Sequence, residues 1–144
     1  MSNPDKTSVG IHVYVYPYIE SMGDLSGKTV LDIPSGDGRA TNIFKKQGAN
    51  VISLDIFPRK GKTYSSKYGD MTEKLDIDDN AIDIIICQEG IEHVPDQYNL
   101  LKEFNRILKK GGDLILTTPN ISNIRSKISC LFTESDMRKR MPCT

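Results

Sequence analysis

Four short apolar runs punctuate the chain: residues 29–33 (TVLDI), 51–56 (VISLDI), 82–87 (IDIIIC) and 114–117 (LILT). They are rich in Ile, Val and Leu and nearly continuous, which is the pattern of parallel strands covered on both faces. Between them the apolar positions fall at helical spacing. Residues 41–47 carry Ile43 and Phe44, and Gly48 is placed to end that helix in the left-handed conformation. Residues 96–110 set Leu100, Leu101, Phe104, Ile107 and Leu108 at helical intervals. Lys109 and Lys110 suit the negative end of that helix, and Gly111 predicts its stop. A last amphipathic stretch, residues 121–132, follows Pro119-Asn120. Strand and helix signals alternate, so the predicted class is α/β with a doubly wound, mostly parallel sheet.

One connection breaks the pattern. Only residues 57–62 separate the second run from the next candidate strand, residues 63–68. A parallel crossover needs about a dozen residues or more, usually with a helix. Pro58 and Gly61 disfavour a helix there. The third strand is therefore expected as a short edge strand reached by a loop, or as unpaired chain, and one flank of the sheet should lie uncovered. Residues 11–20, IHVYVYPYIE, alternate like a strand at first but also read as a helix start around Pro17. Residues 133–144 are polar, with Arg138, Lys139 and Arg140 together, and read as a frayed terminus.

Length and charge narrow the partners. A chain of 144 residues is one domain, able to bury roughly 70% of its unfolded surface. Lys plus Arg is 19 and Asp plus Glu is 19, a formal net charge of zero. Nucleic acid or an anionic membrane would need a basic field, so neither is expected as the main partner. The start, MSNPDKTSVG, lacks the basic and apolar parts of a signal peptide. No apolar run approaches the ~18 residues of a membrane span. Cys87, Cys130 and Cys143 are widely spaced with no CxxC pair, so no metal site and no disulfide framework are expected. Reduced thiols in a cytoplasmic protein are the expectation, with Cys87 buried in its apolar run.

The candidate chemistry sits in residues 30–40, VLDIPSGDGRA. Gly36 and Gly38 lack Cβ atoms, so the backbone can bend sharply and come close to a ligand. The N–H groups that open the following helix are unpaired and form a positive dipole end. Asp55 ends the second run about 20 residues further on. Strand, tight turn, helix and acid-ended strand together form a layout that holds a nucleoside. A dinucleotide site would want a third small residue where Thr41 stands, and Asp37 inside the turn would repel a pyrophosphate. A nicotinamide-dependent oxidoreductase shares Asp55 but fails at Thr41. An adenosine ligand without phosphates fits better.

Four blocks, in order, resemble the class I S-adenosylmethionine-dependent methyltransferases of the small-molecule type. They are VLDIPSGDG, VISLDI, GDMTEKLDIDDNAIDIIICQEGIEHVPD (residues 69–96) and LLKEFNRILKKGGDLILTTPN (residues 100–120), about two-thirds of the chain. The resemblance implies a Rossmann-like core over residues 29–132, preceded by a helical or lid segment (1–28) and followed by a flexible tail (133–144). It implies that Asp32 holds the methionine amino group, directly or through water, with Pro34, Gly36 and Gly38 forming the turn against the cofactor. Asp55 would accept from the ribose hydroxyls, with Ile56 beside it. Asp70 would accept from the adenine amino group, the Met71 N–H would reach the ring, and Gln88 would meet the methionine moiety, largely by backbone.

Glu92 and His93 would stand near the reaction centre as candidate catalytic residues. An imidazole can serve as a general base, and His93 could equally hydrogen-bond at a helix entry. Tyr14, Tyr16 and Tyr18 read as packing residues or as a lid over the cofactor. Pro34 replaces the family's first glycine, removing an N–H and fixing φ, and the family's last two antiparallel strands have no counterpart here. The implied reaction is methyl transfer from S-adenosylmethionine to a small-molecule or saccharide-type acceptor, releasing S-adenosylhomocysteine. The alternative is a catalytically incomplete cofactor-binding or interaction module. An uncovered sheet flank also admits a homodimer.

Overall fold

The computed structural model describes residues 9–61 and 63–118. The predicted stretch 121–132, the tail 133–144, Cys130 and Cys143 lie outside the described residues. The first apolar run becomes the central strand β1 (Thr29–Asp32). On one side it pairs with β2 (Asn50–Asp55), which carries the two-residue edge strand β3 (Lys67–Tyr68). On the other it pairs with β4 (Ile82–Gln88), followed by β5 (Leu108–Thr117). Every pairing is parallel, in the order β3-β2-β1-β4-β5. The chain steps outward from β1 to β3 and then returns to the other side of β1. That reversal leaves a crevice over the C-terminal ends of β1 and β4, the position where such sheets bind ligands.

Alternate strand residues face opposite layers, so each near-continuous apolar run feeds two cores. Val30, Ile84 and Ile86 pack with Phe44 of α2 (Arg39–Lys46) and with Val15 and Ile19 of α1 (Val9–Ser21). Leu31, Ile33, Ile85 and Cys87 pack with Leu100, Phe104 and Ile107 of α3 (Gln97–Ile107). Phe44 and Phe104 are fully buried, each contributing about 1.5–3 kcal/mol. The sheet is therefore doubly wound, as the sequence predicts, and Cys87 is a buried free thiol.

α2 ends as expected, with Gly48 in the left-handed region at φ 85°. Residues 9–21 settle as one helix rather than a strand, and Pro17 lies inside it rather than at its start. An interior proline costs a helix ~3 kcal/mol. Val15 and Ile19, one turn apart and buried, anchor the helix on the sheet across that break. Gln47 adds a tie, its Nε2 donating to the Ile19 carbonyl at 2.7 Å.

The end of α3 needs a correction. The helix begins under an Asp96 cap that accepts from the Asn99 N–H at 3.0 Å, but it stops at Ile107. Lys109 and Lys110 belong to β5 and do not meet the helix dipole; Gly111 lies within the strand and stops nothing. The competing partner is β4. Leu108 pairs with Ile82, and a register irregularity follows before Ile84 pairs with Asp113. Lys109 Nζ reaches Asp83 Oδ2 at 2.7 Å, a carboxyl also bonded to the Thr29 N–H at 2.9 Å. That side chain ties β5, β4 and β1 together at one end of the sheet.

The third strand is the short edge expected of it. β3 pairs with β2 only through Lys67 and Tyr68, and no helix covers the connection. Phe57 (78% exposed) and Tyr68 (59% exposed) show the uncovered flank.

Candidate functional site

Residues 33–38 form the turn between β1 and α2, over the crevice. The Ser35 N–H donates to the Leu54 carbonyl at 2.9 Å, the Gly36 N–H to Asp55 Oδ2 at 2.9 Å, and the Gly38 N–H to the Ser35 carbonyl at 2.9 Å. Gly36 (φ 50°) and Gly38 (φ 79°) hold left-handed conformations that a side chain would strain. Asp55 therefore has a structural duty as well. Its Oδ1 also accepts from the Phe57 N–H at 2.9 Å. Each carboxylate oxygen has a second lone pair, so two ribose hydroxyls can still be accepted.

Asp32 ends β1 and is only 1% exposed. Its Oδ2 accepts from the Thr41 N–H at 3.0 Å and from Thr41 Oγ1 at 2.5 Å, and that hydroxyl lies 2.8 Å from Ser53 Oγ. Burial pushes the carboxyl pKa up to about 6; the Thr41 bonds pull it down, while Asp37 and Asp55 raise it. A carboxylate under that strain favours a cation beside it. Thr41, which the sequence marks only as unsuited to a dinucleotide, is thus the side chain that orients Asp32.

A cavity of about 220 Å³ opens beside this turn, lined by Tyr16, Pro34, Ser35, Gly36, Asp37, Ala40, Gln88 and Glu89. Gln88 Nε2 is buried with no close hydrogen-bond acceptor, and its amide interacts with the Tyr16 phenol, pulling that pKa down. Glu89 follows in a left-handed conformation (φ 47°) rare for a side-chain-bearing residue. Its N–H donates to the Thr117 carbonyl at 3.0 Å. Tyr16 lines the cavity half-buried, its phenol pKa raised by burial and by Asp37, whereas Tyr14 and Tyr18 are exposed. Only one of the three tyrosines is placed to act as a lid.

Pro34 and Gly90 fit together: a Cβ on Gly90 would come 2.5 Å from Pro34 Cδ and 3.1 Å from Cys87 Sγ. The proline is accommodated because its neighbour is bare. Nothing in the spacing of the sequence marks Gly90.

The other expected residues spread outward. Ile56 is 48% exposed next to Asp55. Asp70 follows β3, and its Oδ1 accepts from the Thr72 N–H at 2.8 Å and Thr72 Oγ1 at 2.7 Å, a local turn that lowers its pKa. Met71 packs against the α3-side core, its Sδ 4.0 Å from Cys87 Sγ. Glu92 and His93 are exposed on the single turn Ile91–His93 and do not line the cavity.

A larger hollow, about 450 Å³, lies between residues 71–74 and the start of α3. Its walls are held by Arg106, which bonds Asp79 Oδ1 at 2.6 Å, Glu103 Oε1 at 2.6 Å and the Ile77 carbonyl at 2.8 Å. The glycine turn lines the smaller cavity and not this one, while Asp32 and Asp55 are lining residues of neither. The smaller cavity is the one with convergent polar groups, and we take it as the site. Among the described residues no cluster of three or more His, Cys, Asp or Glu is arranged to hold a metal ion.

Comparison with known proteins bears on the family and the fold. Residues 15–141 match the methyltransferase domain family. The ubiquinone biosynthesis O-methyltransferase of Aliivibrio fischeri is 29% identical over 136 residues, covering 86% of this chain and 57% of that protein. The chain spans about half the length of the curated relatives it matches. A Haloferax volcanii protein described as a methyltransferase, solved in complex with a methyltransferase activator, superposes with a TM-score of 0.60. It is 26% identical, and the match covers 70% of this chain and 50% of that one. A protein described as a methyltransferase of an antibiotic biosynthesis pathway in Anabaena variabilis reaches a TM-score of 0.66 at 20% identity, over 90% of this chain and 56% of its own. This chain belongs to the methyltransferase domain family and has the Rossmann-like fold of S-adenosylmethionine-dependent methyltransferases.

Proposed function

We propose that the chain binds S-adenosylmethionine over β1, β2 and β4 and serves methyl transfer to a small-molecule acceptor. One observation carries the binding claim. The Asp55-pinned glycine turn and Gln88 line one cavity, and the buried Asp32 carboxyl ends the strand that leads into that turn. Asp32 matches the methionine ammonium, Gln88 Nε2 a carboxylate or thioether-side acceptor, and Asp55 the ribose hydroxyls. Ile56, Asp70 and Met71 follow along the same edge as the adenine-side contacts, and Pro34, Gly36 and Gly38 form the floor. When bound, the cofactor supplies an electrophilic sulfonium methyl group. The protein's part is alignment, together with proton removal from the acceptor.

We assign that proton to His93 or Glu92, on the exposed turn beyond β4. Relatives named as O-methyltransferases favour an oxygen acceptor. His93→Gln should lower turnover with S-adenosylhomocysteine affinity unchanged; a matching loss of affinity would make His93 a binding residue instead. The described part of residues 29–132 forms the cofactor core in this reading, flanked by the described part of residues 1–28. The buried free thiol of Cys87 fits the reducing cytoplasm, and the bare β3 flank suits a second copy, which sedimentation would show.

Titration calorimetry with S-adenosylhomocysteine tests the assignment. Binding that falls at least tenfold in Asp55→Ala supports it. No binding by the wild type, or undiminished binding by the variant, sinks it. A protein that binds the cofactor and methylates nothing across a broad acceptor panel would be the binding module rather than the enzyme.

A further inference from the structure

The loop that replaces a crossover helix after β2 does more than connect. Tyr64, in that loop, is only 8% exposed. Its ring lies on the bare Cα of Gly38, where a Cβ would run into the ring carbons. Its hydroxyl donates to Ser35 Oγ, itself buried. One side chain thus touches both ends of the glycine turn. The loop is braced behind it: the Arg59 N–H donates to Ser66 Oγ and the Ser66 N–H to the Arg59 carbonyl, both at 2.9 Å, and Lys60 bridges Ser65. The front of the same loop is fixed by the Phe57 N–H on Asp55. Strand-end carboxylate, glycine turn and loop therefore form one linked unit.

We propose that Tyr64 is a positioning residue that holds the glycine turn in its cofactor-accepting shape, doing for this chain what a helix after β2 would otherwise do. The proposal rests on the cofactor reading above. Without the phenol, Ser35 and Gly38 keep only their backbone bonds, and the turn must be ordered when the ligand arrives, which weakens association.

The test is a double-mutant cycle on S-adenosylhomocysteine affinity, using Tyr64→Phe, Ser35→Ala and the pair, with melting temperature followed in parallel. Loss of one neutral hydrogen bond predicts roughly threefold to tenfold weaker binding in each single variant. The pair should be no weaker than either alone, because both remove the same contact. A merely structural tyrosine would lower the melting temperature and leave affinity alone, and that result overturns the proposal. Losses that multiply in the pair overturn it as well. Asp55→Ala separates the two claims. Binding that needs Asp55 but ignores Tyr64→Phe removes this inference only, whereas binding indifferent to Asp55 removes the cofactor reading and the inference with it.

Discussion

At the scale of single residues, Asp32 is where fold and ligand pull in opposite directions. Burial raises its carboxyl pKa from 3.8 to about 6, so folding disfavours the charged form relative to the unfolded chain. The stability attached to this group is fully present below 3.8 and is lost as pH rises through 6. At neutral pH the buried charge costs the ligand-free protein about 3 kcal/mol. A ligand ammonium restores what burial removes. Asp32→Asn keeps an acceptor for Thr41 and discards the charge, so it should raise the melting temperature of the free protein. The same variant should bind S-adenosylhomocysteine at least tenfold more weakly. For the wild type, calorimetry at pH 5, 6 and 7 should show affinity flat above 6 and falling toward 5 by up to tenfold per unit. Affinity that rises on acidification would show that no cation sits beside Asp32.

At the scale of elements, the sequence is a good guide where local and tertiary preferences agree. The strand runs of β1, β2 and β4 are continuous because both faces are covered, and the left-handed Gly48 ends α2 as its type suggests. It misleads where a tertiary partner overrides a local signal. Pro17 marks a helix start locally, yet Val15 and Ile19 bury themselves on either side of it. Lys109-Lys110-Gly111 reads as a helix end, yet β4 captures the chain from Leu108 onward. The site divides in the same way. Acids at strand ends are visible in the spacing; Thr41 behind Asp32, Gly90 beneath Pro34 and Tyr64 over Gly38 are not, because each contact joins residues that no periodicity links.

The strand assignment of the lysines can be tested directly. Of these two lysines Lys109 alone meets Asp83, at 2.7 Å, beside the longer Lys28 contact at 3.5 Å, so Lys109→Ala should cost a few tenths to about 1 kcal/mol in urea unfolding. Lys110→Ala should cost almost nothing. Equal losses would restore the helix-end assignment.

At the scale of the whole molecule, strand order decides where chemistry can occur. The reversal between β1 and β4 opens the crevice on one edge of the sheet, while the Asp83–Lys109 ties close the other. Chemical and mechanical ends are thereby separated, and a ligand can order the first without disturbing the second. The hollow beside α3 is larger than the cavity at the glycine turn, and size favours the wrong one if convergence of polar groups is the better guide. Hydrogen exchange with S-adenosylhomocysteine at about 100 times its dissociation constant distinguishes them. Overall stability should rise by about 2.7 kcal/mol. Amides that exchange by local opening should slow at the glycine turn, above all at Gly36, and at Phe57, both of which donate to Asp55. Glu73, Lys74 and the first turn of α3 should slow far less. Protection concentrated around Arg106 instead would move the site to the larger hollow, and would leave the strand-end carboxylates as braces of the turn alone.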